Sequence, residues 1–405
     1  MRTRTTTALL AGLALSASLL TACGGHGRYT KEGISLAKAR LDALKAATEY
    51  DMALQAFLAG DLDKASRKVE VASRLSPESA TIPILEGRIA IERGLMGEAL
   101  LALKRAVELD ESAVEAHYYM GVVSERLNEP ERAMTHFARA AELEPHNPQH
   151  AVAAGEMLVD MGRPAEARAF LEASESAAHS AGIQQLLGHI ALIEGDADLA
   201  CDHFQRARLL APEDGAILAD LADAQMEAGR FADAETNLSH LLRDPNNAGR
   251  PDLLHMQAEC LLALNRPVEA REIYRQLSAR EGASDARAWI GIARTAYQIR
   301  DEKTFRRAAS RVISIDPQNP EGYMLYAAIQ RDKEMFGQAL ETLDTALMRA
   351  GRHADLLAMR SLVLADLDRD DEALVAAQAA LELDPGSAAA QRMLDRLAVV
   401  AVPVD

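Results

Sequence analysis

The sequence predicts an all-α fold: a solenoid of about ten helix-turn-helix copies with a C-terminal capping helix. Two observations carry this prediction. In the stretch Val114 to Asn147, apolar residues fall at helical spacings of three and four, first Tyr118, Gly121, Val122 and Leu127, then Ala133, Phe137, Ala140 and Leu143. Two such helices cannot bury both faces in each other, so each needs a neighbour of its own kind. The second observation supplies the neighbours. The alanine at Ala133 recurs at Ala65, Ala99, Ala167, Ala200, Ala234, Ala270, Ala339 and Ala373, in steps of 34, 34, 34, 33, 34, 36, 69 and 34 residues. The step of 69 spans a degenerate copy with Phe305 in the slot, so ten copies run from Ala46 to about Gly386.

Two further slots repeat. One holds Gly87, Gly121, Gly155 and Gly188, with alanine or serine elsewhere (Ala53, Ala222, Ala258, Ala293, Ala327, Ser361). The other holds Ala72, Ala106, Ala140, Ala207, Ala346 and Ala380. Small side chains there let helix backbones approach while larger neighbours interlock. In the Val114 copy the ordered pattern is Tyr118, Gly121, Ala133, Phe137, Ala140 and Pro145; in the copy from Ala181 it is Gly188, Ala200, Phe204, Ala207 and Pro212. This resembles the tetratricopeptide repeat family, and the resemblance covers over four fifths of the chain. It implies a right-handed α-α superhelix that serves as a scaffold.

Taken in order, residues 1–22 read as a signal peptide, with Arg2 and Arg4 before an apolar run from Ala8 to Leu20 that is too short to span a membrane. Leu20-Thr21-Ala22-Cys23-Gly24 resembles a bacterial lipobox. The resemblance implies that Cys23 becomes the lipidated N-terminus, and that several acyl chains anchor it stably. Gly24, where an aspartate would retain the protein, implies the outer membrane by the sorting rule of enterobacterial lipoproteins. Residues 23–28 form a short tether. Residues 29–45 form a lead-in helix with Ile34, Ala37, Leu41 and Leu44 on one face, capping or extending the first copy. The turn within each copy falls at Gly60, Gly94, Asn128, Gly162, Gly195, Gly229 and Asn265, residues that tolerate a left-handed backbone. Arg300, Glu334 and Asp368 hold this place in the last three copies, so those turns are built differently or carry strain. Copies meet at Pro77, Pro145, Pro212, Pro317 and Pro385. The segment 244–251 is the most loop-like and is expected to bend the stack. Residues 387–405 form a capping helix, with Met393, Leu394 and Leu397 covering the last copy, and an apolar tail.

Charge and chemistry narrow the function. Removing Arg2 and Arg4 takes the net charge from −17 to −19, because residues 1–22 contain no acid. So acidic a chain repels nucleic acid and anionic headgroups, and no nucleic-acid partner is expected. Cys201 and Cys260 read as buried apolar residues, not a disulfide. No P-loop, HExxH or nucleophile elbow occurs, so no catalytic residue, metal or cofactor is assigned. His146 and His150, near Glu144, read as a solvated loop. Function then falls to the groove, which the family lines with the first helix of each copy. By register that lining includes Tyr118, Val122, Glu125, Glu156, His189, Asp223, Glu227, Glu259, Arg294 and Gln298. Its acids suit a partner segment with basic and apolar residues. The carboxylate clamp of chaperone-docking members is missing: its positions hold Tyr50 and Leu54, Ile84 and Arg88, Tyr118 and Val122. The expectation is a lipid-anchored scaffold in the cell envelope, facing the periplasm, whose partners are envelope proteins or peptide segments and the membrane through Cys23. Pilus, polysaccharide-export, outer-membrane assembly and cell-wall enzyme adaptor machines all fit. A peptide- or ligand-binding protein, or an enzyme with a site assembled across repeats, are the alternatives.

Overall fold

The computed structural model describes residues 28–400, which form 21 α-helices, one 3-10 helix and no strand. Residues 1–27, on which the expected signal peptide, Cys23 and most of the expected tether fall, and residues 401–405 lie outside the described residues. We number the helices α1 (Arg28–Leu58), α2 (Leu62–Leu75), α3 (Thr81–Glu92), α4 (Met96–Leu109), α5 (Val114–Arg126), α6 (Pro130–Leu143), α7 (Pro148–Asp160), α8 (Pro164–Glu172), α9 (Ala181–Ile193), α10 (Ala197–Leu210), α11 (Gly215–Glu227), α12 (Phe231–Leu241), α13 (Pro251–Ala263), α14 (Pro267–Leu277), α15 (Ala286–Gln298), α16 (Glu302–Ile315), α17 (Pro320–Asp332), α18 (Phe336–Ala350), α19 (Ala354–Asp366), α20 (Asp370–Leu383) and α21 (Ala388–Val400). The chain divides into two compact units, one ending at Leu186 and one beginning at Leu187. Within each, consecutive helices pack in sequence order. First helices of successive copies also touch, α1 on α3 and α3 on α5 in the first unit, and α11 on α13, α13 on α15, α15 on α17 and α17 on α19 in the second. Second helices approach one another less closely, which puts the first-helix layer on the inner side of each unit's curve.

The three slots form the core. Every alanine of the Ala133 series is buried, as are the small residues of the first helices. The bulky residue one turn after each Ala133-type alanine fills the space that the first-helix slot leaves, except after Ala373, where the buried Ala377 takes the place. At Gly121 the fit admits no side chain: a Cβ there would lie 2.6 Å from the Phe137 ring. Gly188 faces Phe204 in the same way, at 2.7 Å. Where Leu238 replaces the ring, the slot holds Ala222 and both are fully buried. The degenerate copy is regular in space. Phe305 stands in the alanine slot, Ala309 stands where the bulky residue belongs, and both are buried. The two sizes have exchanged places along one turn of α16, so the filled volume is kept. In the last copy Ser361 occupies the slot, and its hydroxyl donates to the Ala373 carbonyl at 2.7 Å.

All ten turns share one geometry. Gly60, Gly94, Gly162, Gly195 and Gly229 have positive φ, and so do Asn128, Asn265, Arg300, Glu334 and Asp368, at 57–58°. After each, the next N–H closes a six-to-one bond onto the first helix, from Asp61 to the Ala56 carbonyl at 2.9 Å through to Arg369 to the Leu364 carbonyl at 3.0 Å. The last three turns are therefore built like the others and carry left-handed strain.

The lead-in segment extends the first copy as the first part of the 31-residue α1. Ile34, Leu41 and Leu44 on it are exposed. No glycine or proline separates it from the first copy, so nothing ends the helix. Across the long connection after α12, Leu241 and Leu253 share one core cluster, so the core runs through it. Similar turn-rich connections follow α8 and α14. In α21, Met393 is buried and Leu394 packs on the last copy, while Gln391, Arg392, Asp395 and Arg396 face solvent; the Leu397 side chain lies outside the described residues. Cys201 and Cys260 are free and buried, as expected.

Two sets of substitutions test this packing. Left-handed geometry costs a side chain about 1–2 kcal/mol, and glycine returns part of that as unfolded-state entropy. Glu334→Gly should stabilise by about 0.5–1 kcal/mol, and Gly94→Ala should destabilise by about 1 kcal/mol, read from unfolding midpoints. Gly121→Ala should cost about 1–2 kcal/mol through overpacking, offset in part by helix propensity. In a Phe137→Leu background the same change should become near neutral, because the Ala222–Leu238 pair shows that combination packed.

Candidate functional site

The inner face of the first unit is built by α1, α3, α5 and α7. The sequence singled out Tyr118 and Val122 there, but both are half-buried and pack into the core around Phe137. The Tyr118 ring lies 5.5 Å from Phe137, 5.3 Å from Tyr119 and 5.3 Å from His150. His150 itself is buried, which corrects the solvated-loop reading. Pro148 opens α7 and turns the ring inward, where its Nε2 meets a Glu144 carboxylate oxygen at 3.0 Å; His146 remains exposed. Glu125 and Glu156 are exposed. The Glu156 carboxyl titrates above its ordinary value, first through partial burial and then through the nearby charges of Glu125 and Asp160.

A different aromatic feature crosses three first helices. Arg88 of α3 lies over Phe57 of α1 at 5.0 Å and over Tyr119 of α5 at 5.2 Å. These residues stand 31 apart, one turn short of the repeat. A search along the 34-residue register therefore misses them, whereas stepping back one turn per copy finds them.

In the second unit the acids gather. Asp223 and Glu227 are exposed on α11, beside a pocket of about 420 Å³ lined by Leu192, Gly195 and Ala197. Asp223 is raised above the usual aspartate value, first by desolvation, then by Glu227 and Asp220. His189 faces Asp220 at 3.3 Å and stacks edge-on against Phe204 at 5.0 Å. Glu259 accepts from Arg287 at 2.8 Å, and Arg294 pairs with Glu321. Two of the expected lining charges are thus already partnered within the protein.

Further along this face is a site that the sequence did not reveal. Tyr297 of α15 is 55% exposed, and its ring lies 5.8 Å from the buried Phe305. Beside it opens a pocket of about 550 Å³, with Leu262 and Ala263 of α13, Leu325 and Ala328 of α17, and Arg294 and Gln298 of α15 around it. Three successive first helices therefore contribute one wall each. The Tyr297 hydroxyl is raised above its ordinary pKa by the charge of Asp332, to which it also hydrogen-bonds. Arg294 and Gln298 were named from register alone; Tyr297 was not, because the register positions do not show which ring the neighbouring copies leave uncovered. An apolar floor, an exposed ring and nearby acids suit a side chain from another chain better than an enclosed small molecule.

The chain belongs to the tetratricopeptide repeat family. Models described as tetratricopeptide repeat match residues 84–148, 123–182, 255–320 and 329–388, and a second such model matches 191–250. A tetratricopeptide repeat protein from Parabacteroides merdae is similar in structure, with 17% identity, 62% of this chain and 98% of that chain covered, and a TM-score of 0.53. PilW, described as a widely conserved type IV pilus biogenesis factor, aligns over 50% of this chain and 93% of its own, at 19% identity and a TM-score of 0.41. In sequence, Superkiller complex protein 3 of Mus musculus is 32% identical over 92 residues, 22% of this chain. The chain covers 6% of the length of that relative. The fold is that of a protein-interaction scaffold.

The raised titration of Asp223 sets a sign for stability. A carboxyl whose folded pKa lies above its unfolded value adds stability that is present below the unfolded pKa and is lost as pH rises through the folded one. Asp223→Asn should therefore raise the unfolding temperature near neutral pH, and the gain should shrink as pH falls through the aspartate range. Thermal unfolding of the two proteins across pH checks this; a gain independent of pH would contradict it.

Proposed function

We propose that this protein is a lipid-anchored, periplasm-facing scaffold that holds a basic and partly apolar segment of another envelope protein along its first-helix face. The observation that carries the reading is the Tyr297 pocket: an exposed ring over an apolar floor shared by α13, α15 and α17. An apolar side chain of the partner enters this pocket. Lysine or arginine of the same segment meets Asp220, Asp223 and Glu227, whose mutual repulsion a cation relieves. Hydrogen-bonded and paired charges at Glu259 and Arg294 set the rim. The envelope location is supported by the sequence before Gly24, an export signal ending in a lipobox-like cysteine. Binding is the chemistry assigned: among the described residues the inner face offers acids, a ring and an apolar floor.

Two experiments test this. Cys23→Ala should move the protein from the membrane to the soluble fraction of the envelope; continued retention would defeat the anchor. A photo-crosslinking residue in place of Tyr297 or Glu227 should capture the same envelope protein in intact cells. The same residue at Met348, exposed on the second helix α18, should not. Tyr297→Ala should weaken the captured complex by about 2 kcal/mol, as for a central aromatic contact. Equal capture from all three positions, or none, would reject the first-helix face as the binding surface.

A further inference from the structure

The first part of α1 carries an apolar stripe that no described residue covers. Ile34 is 67% exposed, Leu41 50% and Leu44 67%. With Ala37 they recur at three and four residues and so share one side of the helix. This stripe does not continue the core face. The core of the same helix is made by Ala46, Ala53 and Ala56, all buried. At 3.6 residues per turn those alanines are rotated roughly 130° from the centre of the stripe.

The charges around the stripe differ from those of the rest of the chain. Residues 28–45 contain Arg28, Lys31, Lys38, Arg40 and Lys45 against Glu32 and Asp42, a local excess of three positive charges in a chain of net charge −17. Lys38 and Lys45 border the stripe on one side and Arg40 on the other, all three exposed. A narrow apolar stripe bordered by cations on both sides suits the boundary between headgroups and acyl chains, where the long stems reach outward to phosphate. A second copy of this chain fits less well. In a two-fold pairing the cations that border one stripe would face those that border the other.

We propose that residues 28–45 of α1 lie on an anionic phospholipid surface, with Ile34, Leu41 and Leu44 in the acyl boundary and Lys38, Arg40 and Lys45 on lipid phosphates. The inference rests on the anchor reading for its setting: α1 begins five residues after Cys23, a reach of at most about 17 Å. The whole-chain repulsion from anionic lipid is overcome locally, because charges beyond about 10 Å are screened and each cation near the surface adds roughly fivefold to binding. The acyl chains hold the protein to a bilayer, and the helix fixes how its first copy meets the surface.

The test uses the full-length, processed protein in vesicles of phosphatidylethanolamine and phosphatidylglycerol with brominated acyl chains. A fluorophore is placed at Leu41→Cys or, on the opposite side of the helix, at Ala39→Cys; Cys201 and Cys260 are buried and do not compete. Quenching at position 41 and little at 39 is expected. Replacing phosphatidylglycerol by phosphatidylcholine, or Lys38, Arg40 and Lys45 together by Glu, should abolish that quenching while acylated protein stays on the vesicles. Equal or absent quenching at the two positions overturns the proposal. So does a stripe that is shielded without vesicles in proportion to protein concentration, which would mean a second copy covers it. The mass of the N-terminal fragment reports acylation separately. In a Cys23→Ala background, which carries neither acyl chains nor a competing thiol at that position, quenching at position 41 on anionic vesicles still upholds the inference, and its loss there overturns it.

Discussion

The structure depends on one contact repeated along it: a bulky residue of the second helix entering the gap over a small residue of the first. Phe137 over Gly121, Phe204 over Gly188 and Leu103 over Gly87 are close cases, since a Cβ at any of these glycines would meet the facing side chain well inside van der Waals contact. This contact fixes the spacing within a copy. The left-handed turn fixes its direction, through the six-to-one hydrogen bond found in all ten copies. Neither device involves the exposed side of the first helix. That side is therefore open to acids, rings or cations without cost to the stack, and this separation lets one fold carry unrelated binding surfaces.

Much of the fold was legible because the contact has a sequence signature. Alanine at a near-constant period, with a small residue before it and a bulky one after it, appears in register from Ala65 to Ala270 and again at Ala339, while Ala373 is followed by Ala377. The signature failed where physics allows a second solution. Phe305 and Ala309 exchange places within one turn of α16 and fill the same volume, so a residue-by-residue register sees only a degenerate copy. The turns at Arg300, Glu334 and Asp368 were also ambiguous from sequence. Tertiary packing on either side holds these side chains left-handed, and propensity alone cannot show that. The apolar face of the first part of α1 has a clear period, yet Ile34, Leu41 and Leu44 are exposed; periodicity reports a shared face and is silent on what covers it.

The candidate site was less legible, for a geometric reason. Register names equivalent positions, whereas a groove is made by positions that adjacent copies leave uncovered. Tyr118 and Val122 hold good register positions and are half-buried in the core. Arg88 joins Phe57 and Tyr119 along a line that slips one turn per copy. Tyr297 is 55% exposed beside a pocket that Leu262 and Ala263 of α13 and Leu325 and Ala328 of α17 line, and no single register position names that set. The acids fared better: Asp223, Glu227 and Glu156 are all exposed, since a carboxylate seldom finds room in a core already filled.

If the helix pair is the unit of stability, the two helices of a copy should open together and neighbouring copies should open with their own free energies. Native-state hydrogen exchange read by mass spectrometry measures this most directly. The account predicts matched protection for α11 with α12, for α13 with α14 and for α17 with α18. It also predicts weaker protection in the copies whose turns are strained at Arg300, Glu334 and Asp368 than in those turned at glycine. First and second helices of one copy exchanging with unrelated free energies, or the whole chain opening in a single step, would contradict it.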